Sequence, residues 1–233
     1  GFKVLTAAYS SSSGYVERLA GDADASEREL RVGYGILEQM GEKGYLSTIA
    51  AELAQALYEL GRYDESERFT HVSEELGPLD DLATQVEWRG TRAKVLARRG
   101  DHERAVALAD EAVALASETD YLNLQGDALM DFAEVLTLGG RGGEAPSLWR
   151  EALEIYERKG NVVSAGRVRL RRAGNKLFVD LVVSVARTTT FAGYHDGVEH
   201  YVTAFEFAGG GGAFGSITPL PDIPSKVERG GDW

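Results

Sequence analysis

The 233-residue chain contains no cysteine. That absence excludes a disulfide framework, thiolate catalysis and every zinc site built on cysteine, and it fits a reducing, cytoplasmic setting. Basic residues are in the minority: 25 Lys and Arg stand against 37 Asp and Glu, a formal charge of -12. Such a balance disfavours duplex nucleic acid or an anionic membrane as the main partner. No apolar run approaches the roughly 20 residues that a membrane helix needs. The stretch from Gly1 to Gly14 has neither the basic start nor the apolar segment of a secretory signal. The chain opens on Gly rather than Met, and the expectation is that it comes from the interior of a longer protein with further domains upstream.

What the chain has in excess is glycine, 28 residues or about 12% against a usual ~7%. Four of these mark a period. Gly21, Gly61, Gly100 and Gly140 recur at intervals of 40, 39 and 40. Five residues after each stands a small residue (Ser26, Ser66, Ala105, Ala145), and twelve after it another (Gly33, Ser73, Ala112, Ala152). Gly14, Ala54, Ala93 and Ala133 lie seven before it. Leu57, Leu96 and Leu136 lie four before the last three, whereas Glu17 makes the first copy degenerate.

The pattern predicts a helix, a tight turn and a second helix, repeated. Leu53, Ala54 and Leu57 share one face at 3.6 residues per turn, as do Ala93 and Leu96, and Phe132, Ala133 and Leu136. Each glycine closes the first helix in the left-handed conformation, and Asp64 or Glu103 opens the second near its positive end. The small residues let two backbones cross closely, leaving Phe69, Leu108 and Trp149 to fill the groove. One such hairpin cannot bury its own apolar face, so consecutive hairpins should stack into a mainly α-helical solenoid.

The segment from Ala54 to Ser66, Ala-Gln-Ala-Leu-Tyr-Glu-Leu-Gly-Arg-Tyr-Asp-Glu-Ser, resembles the central signature of a tetratricopeptide repeat. Val95 to Ala105 is a second copy, and the spacing is longer than the family's usual period. The wider stretch from Glu27 to Val163 is similar to the C-terminal repeat region of large bacterial ATP-binding regulators that carry an adenylate/guanylate cyclase-type domain upstream. The resemblance implies a non-enzymatic scaffold in signalling, with protein or peptide partners held in the concave groove by first-helix residues. In the repeat register these are Gln55, Tyr58, Lys94, Arg98, Asp127 and Glu134. Their mixed charge does not match the Lys/Asn-rich carboxylate clamp of chaperone-binding repeats.

The repeat domain is expected over residues 1–163, a small segment over 164–207 and a Gly/Pro-rich tail over 208–233. Val168 to Arg172 and Lys176 to Val185 read as two strands of a β-hairpin about the turn Ala173-Gly174-Asn175. Phe191 to Phe207 reads as a helix with Tyr194, Val198, Tyr201, Val202 and Phe205 on one face. Arg167 to Tyr201 resembles part of the cytoplasmic dimerisation domain of cation diffusion facilitators. That resemblance implies an alternative role in metal sensing or homo-oligomerisation, with His195 as candidate ligand, although Val182 stands where the family often has a second. His195 and His200 are five apart and would diverge on a helix; His71 and His102 fall at repeat positions.

Arg167, Arg169, Arg171, Arg172 and Lys176 put five positive charges in ten residues: RNA or phosphate binding is one reading, and the favoured one is the solvent face of that hairpin, protecting its edge or meeting repeats whose first 160 residues hold 17 bases and 30 acids. Gly140-Arg141-Gly142-Gly143-Glu144-Ala145 has the spacing of a dinucleotide loop, but a helix precedes it where that loop needs a strand, so it reads as an inter-helix turn. No cofactor and no catalytic constellation is predicted. In the tail, four glycines from Gly209 to Gly212 and three prolines from Pro219 to Pro224 outweigh an apolar set of Phe214, Ile217 and Leu220, which predicts disorder.

Overall fold

The fold is that of a computed structural model, which describes residues 2–172, 190–195, 198–205 and 214–219, with side chains over residues 2–169. The chain divides into two units, Gly1–Val168 and Arg169–Trp233.

The first unit is helical: α1 Phe2–Ala20, α2 Ala23–Met40, α3 Gly44–Glu59, α4 Tyr63–Leu76, α5 Leu82–Arg98, α6 His102–Ser117, α7 Leu122–Leu138 and α8 Ala145–Lys159, followed by α9 Val162–Arg172, which runs on to the start of the second. Consecutive helices pack as pairs, α1 with α2, α3 with α4, α5 with α6 and α7 with α8. The pairs stack in series, so that α1 touches α3, α3 touches α5 and α5 touches α7.

The periodic glycines make the reversal inside each pair. Gly21, Gly61, Gly100 and Gly140 all have φ between 74° and 89°. At each one the next residue closes a six-residue ring back onto the helix: Asp22 N–H to Glu17 C=O, Arg62 to Leu57, Asp101 to Leu96 and Arg141 to Leu136, at 2.8–3.0 Å. A side chain at these four positions would be strained by the left-handed backbone, which explains the period.

Small residues then set how closely the paired helices cross. Ser26, Ser66, Ala105 and Ala145 are fully buried, and the Ser66 hydroxyl donates to the Ala54 carbonyl across the pair at 2.7 Å. Leu30, Leu37, Ile49, Leu53 and Leu57 form the core between the first two pairs. Leu129, Leu153 and Tyr156 form another with Ala165 and Val168 of α9.

That last cluster corrects the expected hairpin. Val168 to Arg172 are helical, because the Asn161 side chain accepts from the Ser164 N–H at 3.0 Å and caps a helix whose Ala165 and Val168, three apart, are buried together. Arginines at every second position suggested a strand, but burial of the three-residue apolar spacing decided the conformation. The expected second strand, from Lys176 to Val185, lies outside the described residues.

In the second unit the expected helix over 191–207 is also corrected. Thr190–His195 (β1) pairs antiparallel with Val198–Phe205 (β2), in a register that sets His195 opposite Val198 and Phe191 opposite Val202. Asp196-Gly197 between them is the sequence signal for a two-residue hairpin connection. Phe214–Pro219 (β3), expected within the tail, pairs antiparallel with β2. Its apolar and β-branched residues suit a strand better than the flanking glycines and prolines suggested. Among the described residues no helix is long and apolar enough to cross a membrane.

Close packing generates a paired prediction. A Cβ at Gly126 would lie 2.6 Å from the Tyr156 ring, whereas a Cβ at Gly35 would meet nothing within 4 Å. Gly126→Ala should therefore cost about 1–3 kcal/mol, and Gly35→Ala should gain about 0.5–1 kcal/mol through helix propensity. Urea unfolding of both variants measures the difference.

Candidate functional site

Stacking of α1, α3, α5 and α7 lines up one face of each. Along these helices polar side chains recur at steps of three and four: Ser11, Tyr15 and Arg18; Glu52, Gln55 and Glu59; Glu87, Thr91, Lys94 and Arg98; Asn123, Asp127, Asp131 and Glu134. Spacing of that kind places residues above one another on a single helix face.

Most of the hydrogen bonds on this face run across the helices. Tyr58 donates its hydroxyl proton to Glu134 Oε1 at 2.6 Å, and Arg98 Nε donates to the same hydroxyl oxygen at 2.6 Å. Arg98 also reaches Glu134 Oε1 through Nη2 at 3.3 Å and lies over the rings of Tyr58 and Tyr63. Three helices are thereby tied by three side chains.

One turn away, Lys94 Nζ donates to Gln55 Oε1 at 2.7 Å and pairs with Asp131 Oδ1 at 2.6 Å. Lys94 is only 1% exposed, so its charge is spent inside the protein. Thr91 donates to Gln55 Oε1 at 3.0 Å, Gln55 Nε2 donates to Glu59 at 2.9 Å, and Glu59 meets Arg18 of α1 at 3.7 Å. Gly90 leaves room for the Asp131 carboxylate, which would sit 2.5 Å from a Cβ at that position.

The far edge is closed by the last helices. Tyr156 of α8 donates to Asp127 Oδ1 at 2.5 Å, and Asn123 of α7 lies 3.5 Å from the Tyr15 hydroxyl of α1. Arg167 of α9 donates to the carbonyls of Arg18 and Leu19 at 2.7 and 3.1 Å, so α9 and the end of α1 border the same polar face.

All six residues named from the repeat register lie in this network. Gln55 is bonded to Lys94, and Tyr58, Arg98 and Glu134 to one another; the Lys94 ammonium over the Tyr58 ring at 4.8 Å links the two sets, while Asp127 belongs to the Tyr156 edge. Arg98 is the exposed member, and Gln55, Asp127 and Glu134 are half-buried. Sequence reasoning missed Arg18, Glu52, Glu87 and Asp131. Extending the spacing along α3, α5 and α7 finds the three acids, since Glu52 precedes Gln55 by three, Glu87 precedes Lys94 by seven and Asp131 precedes Glu134 by three; Arg18 stands on α1, in the degenerate first copy, where no candidate was named.

The acids here are unusually hard to ionise. Burial pushes Glu87 up to about 8, helped by the neighbouring Glu52 and Asp127 and opposed by Arg18. Burial likewise raises Glu52, against the Ser11 hydroxyl and Arg18. Asp131 is raised by burial although Lys94 pulls it back. Burial and the Glu134 carboxylate raise Tyr58, and burial and Asp127 raise Tyr156, so both phenols keep their protons. For Arg18 the loss of solvent is outweighed by Asp127, Glu59, Glu87 and Asp131, which leave it raised.

Among the described residues no three His, Asp or Glu side chains are placed to hold a metal ion. His195 ends β1, and His71 and His102 lie at the start or middle of the even-numbered helices α6 and α4, away from this face. In comparisons with known proteins, no family model matches the chain and no curated protein is similar to it.

Glu87 couples stability to pH. Its carboxyl is raised in the folded protein from an ordinary 4.5 to about 8. The unfolded chain therefore releases this proton first, and stability should fall as pH rises through that interval and level off above it. Glu87→Gln, which mimics the protonated acid, should flatten the fall. Denaturant midpoints measured across the interval check the sign.

Proposed function

We propose that the first unit is a tetratricopeptide-like module that binds protein or peptide segments along the face shared by α1, α3, α5 and α7, as a non-enzymatic scaffold of a bacterial, cytoplasmic signalling regulator. The observation that carries this reading is the cross-helix polar network. Residues as far apart in sequence as Tyr15 and Asn123, or Tyr58 and Glu134, meet on one face. Side chains held by such networks lose little further entropy when a ligand takes up their remaining donors and acceptors.

Roles divide by exposure. Lys94 and Tyr58, both buried, hold the row in place, Tyr58 through its hydroxyl to Glu134 and Arg98 and through its ring to Lys94 and Arg98. Arg98, Gln55, Asp127 and Glu134 retain access and are the proposed contacts. Arg98 offers a planar fork of donors that suits carboxylate and carbonyl groups of a partner backbone or side chain.

The test is recovery of partners by immobilised protein. Arg98→Ala and Gln55→Ala should each lower recovery several-fold, while Glu75→Gln on the exposed side of α4 should leave it unchanged. Equal recovery by all three variants would remove this face from the proposal.

A further inference from the structure

The charges on the polar face are not evenly matched. Each of its cations is already engaged: Arg18 with Glu59 at 3.7 Å, Lys94 with Asp131 at 2.6 Å, Arg98 with Glu134 at 3.3 Å and Arg167 with two backbone carbonyls. Glu52 and Glu87 are different. Among the described residues neither carboxylate has a cation within ion-pair distance, and Glu52 Oε2 and Glu87 Oε2 are buried without any hydrogen-bond partner. Ser11 satisfies only the other oxygen of Glu52, at 2.7 Å.

A buried carboxylate without a partner costs several kcal/mol, so the charge must be removed by a proton or matched by a cation. The free protein supplies the proton. Glu87 stands on α5 beside Glu52 of α3, Tyr15 and Arg18 of α1, Asp127 of α7 and Asp81 at the start of its own helix. On the opposite side of α5, Arg92 pairs with Glu74 of α4 and Arg89 with Glu111 of α6, and Arg92 Nη2 is buried there without a hydrogen-bond partner. Three acids and one shared arginine thus surround Glu87, and two like carboxyls on adjoining helices hold a proton where a cation would serve.

We propose that Glu52 and Glu87 form a receptor for an arginine side chain of the bound partner segment. This deepens the reading of the face as a partner-binding surface and rests on it. A guanidinium brings a permanent positive charge and several N–H donors in a plane, enough to serve one oxygen from each carboxylate, and it is less strongly hydrated than an ammonium. On binding, the Glu87 O–H bond breaks and its proton passes to the buffer. The resulting carboxylate pairs with the incoming cation, so binding releases a proton and tightens as pH rises.

The experiment is titration calorimetry of the whole chain with a blocked oligoarginine peptide, in two buffers of different ionisation enthalpy. Expected are saturable binding, release of a proton, and affinity that rises roughly tenfold as pH increases from about 6.5 to about 8.5. Glu87→Gln and Glu52→Gln should each weaken binding about tenfold, and Glu87→Gln should abolish the proton release, which Glu52→Gln should leave in place. Both remain folded on the physical grounds that a neutral amide replaces an acid that is hard to ionise. Glu75→Gln removes the same charge from an exposed site and controls for the overall charge of -12. No saturable binding, or equal affinity for the wild type and all three variants, would overturn the arginine receptor. Partner recovery by the Arg98 and Gln55 variants is measured independently, so the wider reading of the face stands or falls on its own result.

Discussion

The left-handed turn repeated at Gly21, Gly61, Gly100 and Gly140 is the constraint on which the other features depend. It reverses the chain within each pair by the same hydrogen-bond geometry, and the buried small residue five positions later fixes how closely the second helix returns. Because this unit is repeated with almost constant length, α1, α3, α5 and α7 come to adjoin one another in series. A polar residue at a given helical phase in one repeat then meets its counterpart in the next. The face is a product of the turn.

That arrangement has an energetic consequence. Lys94 with Asp131, and Tyr58 with Arg98 and Glu134, bury or half-bury groups that water would otherwise solvate. Networks of this kind contribute only modestly to net stability, since desolvation offsets much of the attraction, but breaking one member leaves its partners uncompensated. Apolar side chains would fill the same space at lower cost. Their absence from this row, beside the Leu and Ile clusters between the pairs, separates the part of the unit that holds it together from the part that offers hydrogen-bonding groups.

Much of the helical order was legible before any coordinates. The glycine period, the small residues at fixed offsets and the apolar faces about Leu53, Ala93 and Phe132 are local signals, and the helix pairs follow them. Less legible was the stretch after Gly160. Alternating arginines from Arg167 carry the period of a strand, while the helix there depends on Asn161 as a cap and on Ala165 and Val168 finding α7 and α8, a contact that no local pattern announces. From Phe191 to Phe205 the opposite error arose: Tyr194, Val198, Tyr201, Val202 and Phe205 fit a helical spacing by coincidence, whereas β1 and β2 pair as antiparallel strands.

Charge placement was the hardest feature to read. Helical spacing places Glu52, Glu87 and Asp131 on the polar face, but nothing along the chain shows that they are less solvated than Glu75 or Glu111. What separates them is which helix lies opposite. Asp131 meets Lys94, which offsets part of its burial, while Glu52 and Glu87 stand on the adjoining helices α3 and α5, raise each other's cost of ionisation and share Arg18 with the remaining acids. A sequence under selection for stability alone would exchange one of these glutamates for glutamine, which keeps the shape and removes the penalty of ionisation. Retaining both sacrifices stability near neutral pH, and proteins commonly accept such a loss where a ligand restores it.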